Sequence, residues 1–292
     1  MDISWVDRIS LFRYALLSAG LAGLVCPLVG NLLYLRRTSF YGIALPQFAA
    51  AGTVLGFVLL PVWLRLFGAE DSGLDSVLAD PHAATSYHLA WASVVTLAGL
   101  AILTALGRRG GSEVGRIAVA FAGATSATYV LGRYSPVGKT FVDELLQGEV
   151  LGIGPHEFEF LAGVLALVCA CLIAFSRGLH LASFDREFAR SIGVPVARLE
   201  LLLSLLTGLT VAVSTITIGP TLLFGLLVVP PVAARRWCTS LRSMQLLAPL
   251  FGVLAVCVGT VAAFEFDLPL AAAIVACSVL LLVPGWLLRR PA

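Results

Sequence analysis

Apolar residues gather into nine runs, roughly 11-35, 40-66, 88-107, 115-132, 157-176, 201-218, 221-234, 244-264 and 268-288, set apart by charge or by clusters of proline and glycine. A helix needs about 20 apolar residues to cross a bilayer, so the runs predict membrane-spanning helices. Only 221-234 is too short to span alone without distortion. Before the first run stand Asp2, Asp7 and Arg8, with no small-residue cleavage site, so that run is expected to remain as a span. The expectation is a single all-α domain over residues 1-292, a polytopic bundle of about eight or nine transmembrane helices.

Two runs carry breaks. The second opens with Gly42-Ile43-Ala44-Leu45-Pro46-Gln47-Phe48, where Pro46 and Gln47 suit a kinked helix start facing a polar path. Gln47 would equally serve by bonding a neighbouring helix. The stretch from Gly219-Pro220-Thr221 to Val229-Pro230-Pro231 is expected to be broken at both ends. Interrupted segments are tolerated in a membrane where they line a cavity or are covered by protein. Three segments between runs are long: 67-87, 133-156 and 177-200. The second contains an amphipathic stretch, 142-147, suited to lying on a membrane surface. The third contains Phe184-Asp185-Arg186-Glu187-Phe188-Ala189-Arg190-Ser191-Ile192-Gly193, a charged helix of about two turns that stops at Gly193 with Pro195 beyond it.

Composition agrees with a membrane protein: 59% of residues are hydrophobic and 12% charged, against roughly 25% charged in a soluble domain. The net charge of +2 gives no field for a nucleic-acid partner. Alternate loops divide the cations unequally. Fourteen of the 19, including Arg36, Arg37, Arg108, Arg109, Arg177, Arg190, Arg235 and Arg236, fall on one side with only four acids, Glu113, Asp185, Glu187 and Glu200. Retention of Lys and Arg in the cytoplasm makes that side the inner one, with the N-terminus outside and the C-terminus inside.

Enzymatic signatures are missing: there is no HExxH, no GxSxG, and no carboxylate pair at helical spacing within a span. Gly138-Lys139-Thr140 lacks the first glycine of a phosphate-binding loop, Arg133 standing in its place. The six cysteines form no CxxC and read as small buried hydrophobes. Asp80, His82, His156 and Glu157 offer weak metal-donor candidates on the acidic outer side. No Asp, Glu, Lys or His falls in the middle of a run, where an ionisable group would mark an ion path.

Five segments carry a resemblance to the permease subunits of zinc and manganese ABC importers, which are similar in plan to the importers of vitamin B12 and iron siderophores. Arg36-Arg37-Thr38-Ser39-Phe40-Tyr41-Gly42 followed by Ala44-Leu45 resembles the family's Arg-Arg-x-Ser-x-x-Gly-Asp-Ala-Leu-Ser-His-Ala. Phe184-Asp185-x-Glu187-Phe188-Ala189-Arg190-x-x-Gly193-Val194-Pro195 resembles its coupling segment, the most specific of the matches. Gly219 to Arg235 is similar to its broken apolar stretch, and Asp267-Leu268-Pro269 and Gly148 to Pro155 are similar to two of its outer loops. One departure stands out. Ile43 and Gln47 occupy the positions of the family's Asp and His, a metal-coordinating pair that the four-residue spacing puts on one helix face.

The resemblance implies a type II importer permease in a bacterial inner membrane. It implies a homodimer with its path at the subunit interface, and import of a divalent transition metal ion (zinc, manganese or iron). Phe184, Asp185, Arg186, Glu187, Ala189, Arg190 and Gly193 would couple to a cytoplasmic ABC ATPase. Gly42, Ile43, Pro46, Gln47, Gly219, Pro220 and Pro230 would line the path. The chain itself would need no cofactor and do no chemistry. ATP would be bound by the partner ATPase, and an extracytoplasmic solute-binding protein would deliver the substrate. Two rivals stay open: the same scaffold importing a chelated metal or other small solute, and a stand-alone secondary transporter, which would need an ionisable coupling group at mid-membrane.

Overall fold

The computed structural model describes residues 10–36, 38, 40–66, 81–107, 112–134 and 153–284, excepting the side chains of 64, 65 and 81–85. Arg37, Ser39, Asp80, the stretch 142-147, the tripeptide at 138-140 and residues 148-152 lie outside the described residues.

Over the described residues, each of the nine apolar runs is mainly helical. In chain order the helices are α1 (Arg13–Leu35), α2 (Tyr41–Leu66), α3 (Pro81–Gly107), α4 (Glu113–Tyr134), α5 (Pro155–Ala174), α6 (Ser176–Phe184), α7 (Arg186–Ser191), α8 (Val196–Trp237), α9 (Leu241–Phe266) and α10 (Leu270–Leu280). Seven are long and apolar enough to cross a membrane, and one of these, α8, holds two runs in its 42 residues.

Contacts at the helix ends fix how the elements alternate. The rings of Phe12 and Phe264, and those of Tyr14 and Phe158, have centroids 6.0 Å apart, which sets the start of α1, the end of α9 and the start of α5 at one end of the bundle. At the opposite end Asn31 Nδ2 donates to the Met244 carbonyl at 3.4 Å. Ala44, Leu103 and Ile117 cluster there and bring in α2, α3 and α4.

Helix α8 begins and finishes at this second end. Glu200, near its start, shares a cavity with Arg36, and Ala234 and Cys238 pack with Tyr34 and Met244. The turn between its legs is Gly219, at φ 78° and ψ 159°, a conformation open to glycine and costly for other residues. At 1.5 Å per residue the legs are about 34 Å and 27 Å long, each enough to traverse most of a bilayer core. The two legs stand at the centre of the main hydrophobic core, which includes Val211, Ile218, Leu222, Leu226 and Leu227 with Ala22, Val25 and Val29 of α1.

The expected second break does not occur. Pro230 and Pro231 lie inside a continuous helix, although Pro231 has no N–H for the Leu227 carbonyl. That carbonyl is covered instead. Gly30 of α1 sits so close that a Cβ there would overlap the Leu227 oxygen and lie 2.9 Å from Pro231 Cγ. The same device recurs between α1 and α9. Pro27 leaves the Gly23 carbonyl without its helical donor, and Gly252 packs over it, where a Cβ would overlap the Gly23 oxygen and lie 2.9 Å from Pro27 Cγ.

Several threonines inside the spans satisfy their own hydroxyls. Thr53, Thr96, Thr128 and Thr210 each donate to the carbonyl four residues back, at 2.7 to 3.0 Å.

Gly30→Ala and Gly252→Ala are each expected to lower stability by about 1–3 kcal/mol through overpacking. Gly20→Ala, whose Cβ meets nothing within 4 Å, is expected to be neutral or to gain up to ~1 kcal/mol of helix propensity. Thermal unfolding of the detergent-solubilised protein checks the contrast, and equal loss in all three variants would contradict it.

Candidate functional site

Three features stand out at the end of the bundle that carries Arg36: the α6–α7 segment, the seam between α2 and α4, and a polar cavity. The segment is built by its own sequence. Asp185 caps α7, its Oδ1 accepting from the Phe188 N–H at 2.9 Å. Gly193 ends it in the left-handed region, at φ 81°. Its N–H donates to the Arg190 carbonyl at 3.1 Å and the Val194 N–H to the Ala189 carbonyl at 3.0 Å.

Ala189 is fully buried and anchors α7 to the core. Phe184, Phe188 and Ile192, four residues apart, are 69%, 53% and 55% exposed. Glu187 and Arg190 are exposed beside them. An apolar stripe rimmed by charge, outside the membrane-spanning legs, is suited to meeting another protein. Arg186 Nη2 holds Glu200 Oε2 at 2.6 Å, tying α7 to the start of α8; half-exposed, the pair adds little stability.

The structure brings Gly42 onto the second leg of α8: a Cβ there would lie 3.1 to 3.6 Å from Val228, Leu227 and Phe224. Pro46 is buried and α2 runs on through it, while Gly219, Pro220 and Pro230 are buried too. Ile43 and Gln47 are half-buried. Gln47 Oε1 accepts from Thr125 Oγ1 of α4 at 3.3 Å, so its amide bonds a neighbouring helix.

Helix α4 is the least apolar and least covered of the seven spanning helices, with 17% of its apolar window buried. Its open face shows the small side chains of Ala118, Ala122, Gly123 and Ser126 among the larger Val119, Phe121, Tyr129 and Val130.

The polar cavity, about 680 Å³, lies among Arg36, Tyr41, Ser183, Arg186, Glu200 and Thr207. Arg36 Nε donates to Ser183 Oγ at 3.1 Å. Burial pulls the Arg36 guanidinium below its ordinary pKa, the Glu200 carboxylate pulls it back up and Arg186 pushes it down again. It stays charged at neutral pH.

Of the outer-face donors, His156 and Glu157 lie in the first turn of α5. Asp80 and the His82 side chain lie outside the described residues, and Glu157 Oε2 accepts from the Gly154 N–H at 3.0 Å, capping α5. No group of three or more His, Cys, Asp or Glu side chains among the described residues is placed to hold a metal.

Sequence reading passed over two buried polar side chains. His88, placed at the mouth of a span by hydropathy, lies in a helix that starts at Pro81, and is buried with its ring centroid 3.8 Å from that of Phe57. Arg36 counted as an inner-side cation and as the start of a family-like motif, with no sign that its guanidinium would be buried.

A model of the family described as "ABC 3 transport family" matches residues 8–289. The chain is 26% identical over 270 residues to the manganese transport system membrane protein MntC of Halalkalibacterium halodurans, covering 91% of this chain and 83% of that one. It is 27% identical over 234 residues to the zinc transport system membrane protein TroC of Treponema pallidum, covering 79% and 72%. Among solved structures it superposes on PsaBC from Streptococcus pneumoniae in complex with Fab with a TM-score of 0.78, at 23% identity over 96% of this chain and 94% of that one. At that identity the likeness speaks for the fold.

Asp185→Ala and Gly193→Ala are expected to loosen α7 alone, by about 1 kcal/mol for the lost cap and roughly 1–2 kcal/mol for the left-handed residue. Hydrogen exchange should quicken at the amides of 186–194 while the global melting temperature holds. A fall in global stability with unchanged local exchange would contradict the autonomy of this segment.

Proposed function

Because the chain belongs to the ABC 3 transport family, we propose that it is the membrane-spanning permease subunit of an ATP-driven importer for a divalent transition metal ion, zinc, manganese or iron. What supports the docking half of this reading is the exposed stripe of Phe188 and Ile192 along the doubly capped α7, with Phe184 exposed beside it at the end of α6. A separate cytoplasmic ATPase would seat its groove on that stripe, with Arg190 and Glu187 at the rim. Ala189 and the Arg186–Glu200 pair would pass its movement to the base of α8. Since α8 turns at Gly219 and returns, a push at its base reaches both legs and the helices α1 and α2 packed on them.

The described cations favour the Arg36 end as cytoplasmic: Arg36, Arg177, Arg186, Arg190, Arg198, Arg235, Arg236 and Arg242 are there, and Arg13 and Arg133 are at the other. The functional unit is a homodimer in a bacterial-type inner membrane, supplied by an extracytoplasmic solute-binding protein. Its seam runs along α4. The small residues Ala118, Ala122, Gly123 and Ser126 on it allow close approach of a second helix, which would also cover the exposed Val119, Phe121 and Val130. Gln47 and Ile43, half-buried beside α4, border that seam, so a path between two copies passes them.

A second reading, import of a chelated metal or other small solute, is favoured by one observation: Ile43 and Gln47 supply one neutral amide, already engaged with Thr125, where a bare ion calls for several donors. A stand-alone secondary transporter has less support. Metal-stimulated ATPase activity and uptake by the reconstituted complex separate the first two. With a bare ion as cargo, Ile43→Asp combined with Gln47→His should lower the metal concentration for half-maximal stimulation and Gln47→Leu should reduce uptake. Wild-type behaviour in both variants would favour a chelate.

Phe188→Ser together with Ile192→Ser should abolish co-purification of the ATPase and leave the permease folded; retained co-purification would refute docking on this stripe. Ser183 is buried against Arg36, so it is a poor reporter of sidedness. Exposed Ser191 and Tyr134 serve better. In a background without native thiols, an impermeant reagent applied to intact cells should label Tyr134→Cys and spare Ser191→Cys, and the reverse pattern would invert the orientation.

A further inference from the structure

Among the described residues, the lining of the cavity at the Arg36 end carries two guanidinium groups, Arg36 and Arg186, against one carboxylate, Glu200, which Arg186 holds at 2.6 Å. Arg36 Nη2 is buried without a partner among the described residues. By sequence only Glu113, Asp185, Glu187 and Glu200 lie on this side of the membrane. Asp185 is spent on capping α7, and neither Glu113 nor Glu187 lines the cavity. Thr207 Oγ1, in the same lining, is also buried without a partner. A buried guanidinium N–H and a buried hydroxyl left unbonded are costly, so a ligand that accepts from both would be held firmly.

We propose that this cavity binds the phosphate group of an anionic phospholipid from the adjoining leaflet. Arg36 Nη2 and the Thr207 hydroxyl donate to phosphate oxygens, and the glycerol end of the lipid lies on Leu33, Leu100 and Leu203. Inorganic phosphate offers the same oxygens, but three points favour the lipid. The cavity is much larger than a phosphate ion requires, leucine side chains form part of its lining, and the lining is drawn from the ends of the spanning helices α1, α3 and α8. Basic pockets between helices at this level suit acidic headgroups. Ser183, Phe184 and Arg186 form one wall and lead into α7, so an occupied cavity braces the segment proposed above to dock the ATPase. That consequence rests on the docking reading; the binding does not.

Native mass spectrometry of the purified, delipidated full-length permease exposed to phosphatidylglycerol or phosphatidylcholine tests the site with neither ATPase nor metal. Wild type should retain phosphatidylglycerol in preference, and Arg36→Gln should retain roughly tenfold less. If Arg36→Gln does not fold, Thr207→Val is the readout, with an expected loss of roughly fivefold. A parallel thermal-shift titration uses inorganic phosphate alone. Stabilisation of wild type by phosphate without selectivity between the two lipids would overturn the lipid assignment in favour of a free anion. No lipid selectivity and no phosphate effect, or equal retention by the variants, would overturn the site. Lipid retention together with failed ATPase co-purification would count against the docking reading alone.

Discussion

In a membrane every main-chain carbonyl must find its donor or its cover inside the protein, and this fold turns on how it meets that demand at its prolines. A proline within a helix frees the carbonyl four residues earlier. At Pro27 and Pro231 that carbonyl faces a glycine on a neighbouring helix, Gly252 and Gly30, close enough that no side chain fits between. Weak Cα–H contacts and exclusion of lipid stand in for the missing hydrogen bond. The two sites share one helix. α1 presents the freed carbonyl of Gly23 to α9 and the covering glycine at position 30 to α8, so it locks both partners by backbone approach. Helix register is thereby set by main-chain geometry, which tolerates far less sliding than a leucine interface.

That lock explains where the bundle can be interrupted. The return leg of α8 keeps its helical course through Pro230 and Pro231 because α1 covers it, whereas at Gly219 the chain reverses. A reversal inside a membrane leaves carbonyls unpaired, and here it is enclosed: Thr217, Ile218, Gly219 and Pro220 are all buried. Both feet of α8 then stand at the end that bears α7. A hairpin with its feet together and its apex buried converts a displacement at the base into tilting of both legs. On the proposed reading, that is the motion by which an ATPase on one side reaches a path between two copies.

The sequence made most of the architecture legible, because apolar run length is a direct consequence of bilayer thickness. All nine runs are mainly helical over their described residues, and the stop at Gly193 and the break at Gly219 are glycine conformations readable from local chemistry alone. The continuity through Pro230-Pro231 was not readable. It depends on Gly30, two hundred residues away in the chain, and local rules give only the cost of a proline, never its cover. His88 escaped notice for a related reason. Hydropathy starts the third span where the polar residues stop, while the helix starts at Pro81 and carries the imidazole into the bundle against Phe57. Arg36 was legible as a charge and illegible as a buried one, since its burial comes from α6 and α8.

The distribution of ionisable groups bears on what passes through. Charge is concentrated at the two ends, and the half-buried seam beside α4 offers Ile43, Gln47 and Thr125, none of which ionises. A bare divalent ion entering such a path loses hydration without gaining a carboxylate or imidazole. It crosses only if it keeps water around it or arrives with ligands of its own. On the proposed reading the seam would then hold its cargo weakly, which suits release and leaves selection to whatever delivers the substrate. An aspartate and a histidine at positions 43 and 47 would move selection into the permease at the cost of slower release. The neutral pair therefore places the discriminating step of this transporter, on the proposed reading, outside the membrane-spanning chain.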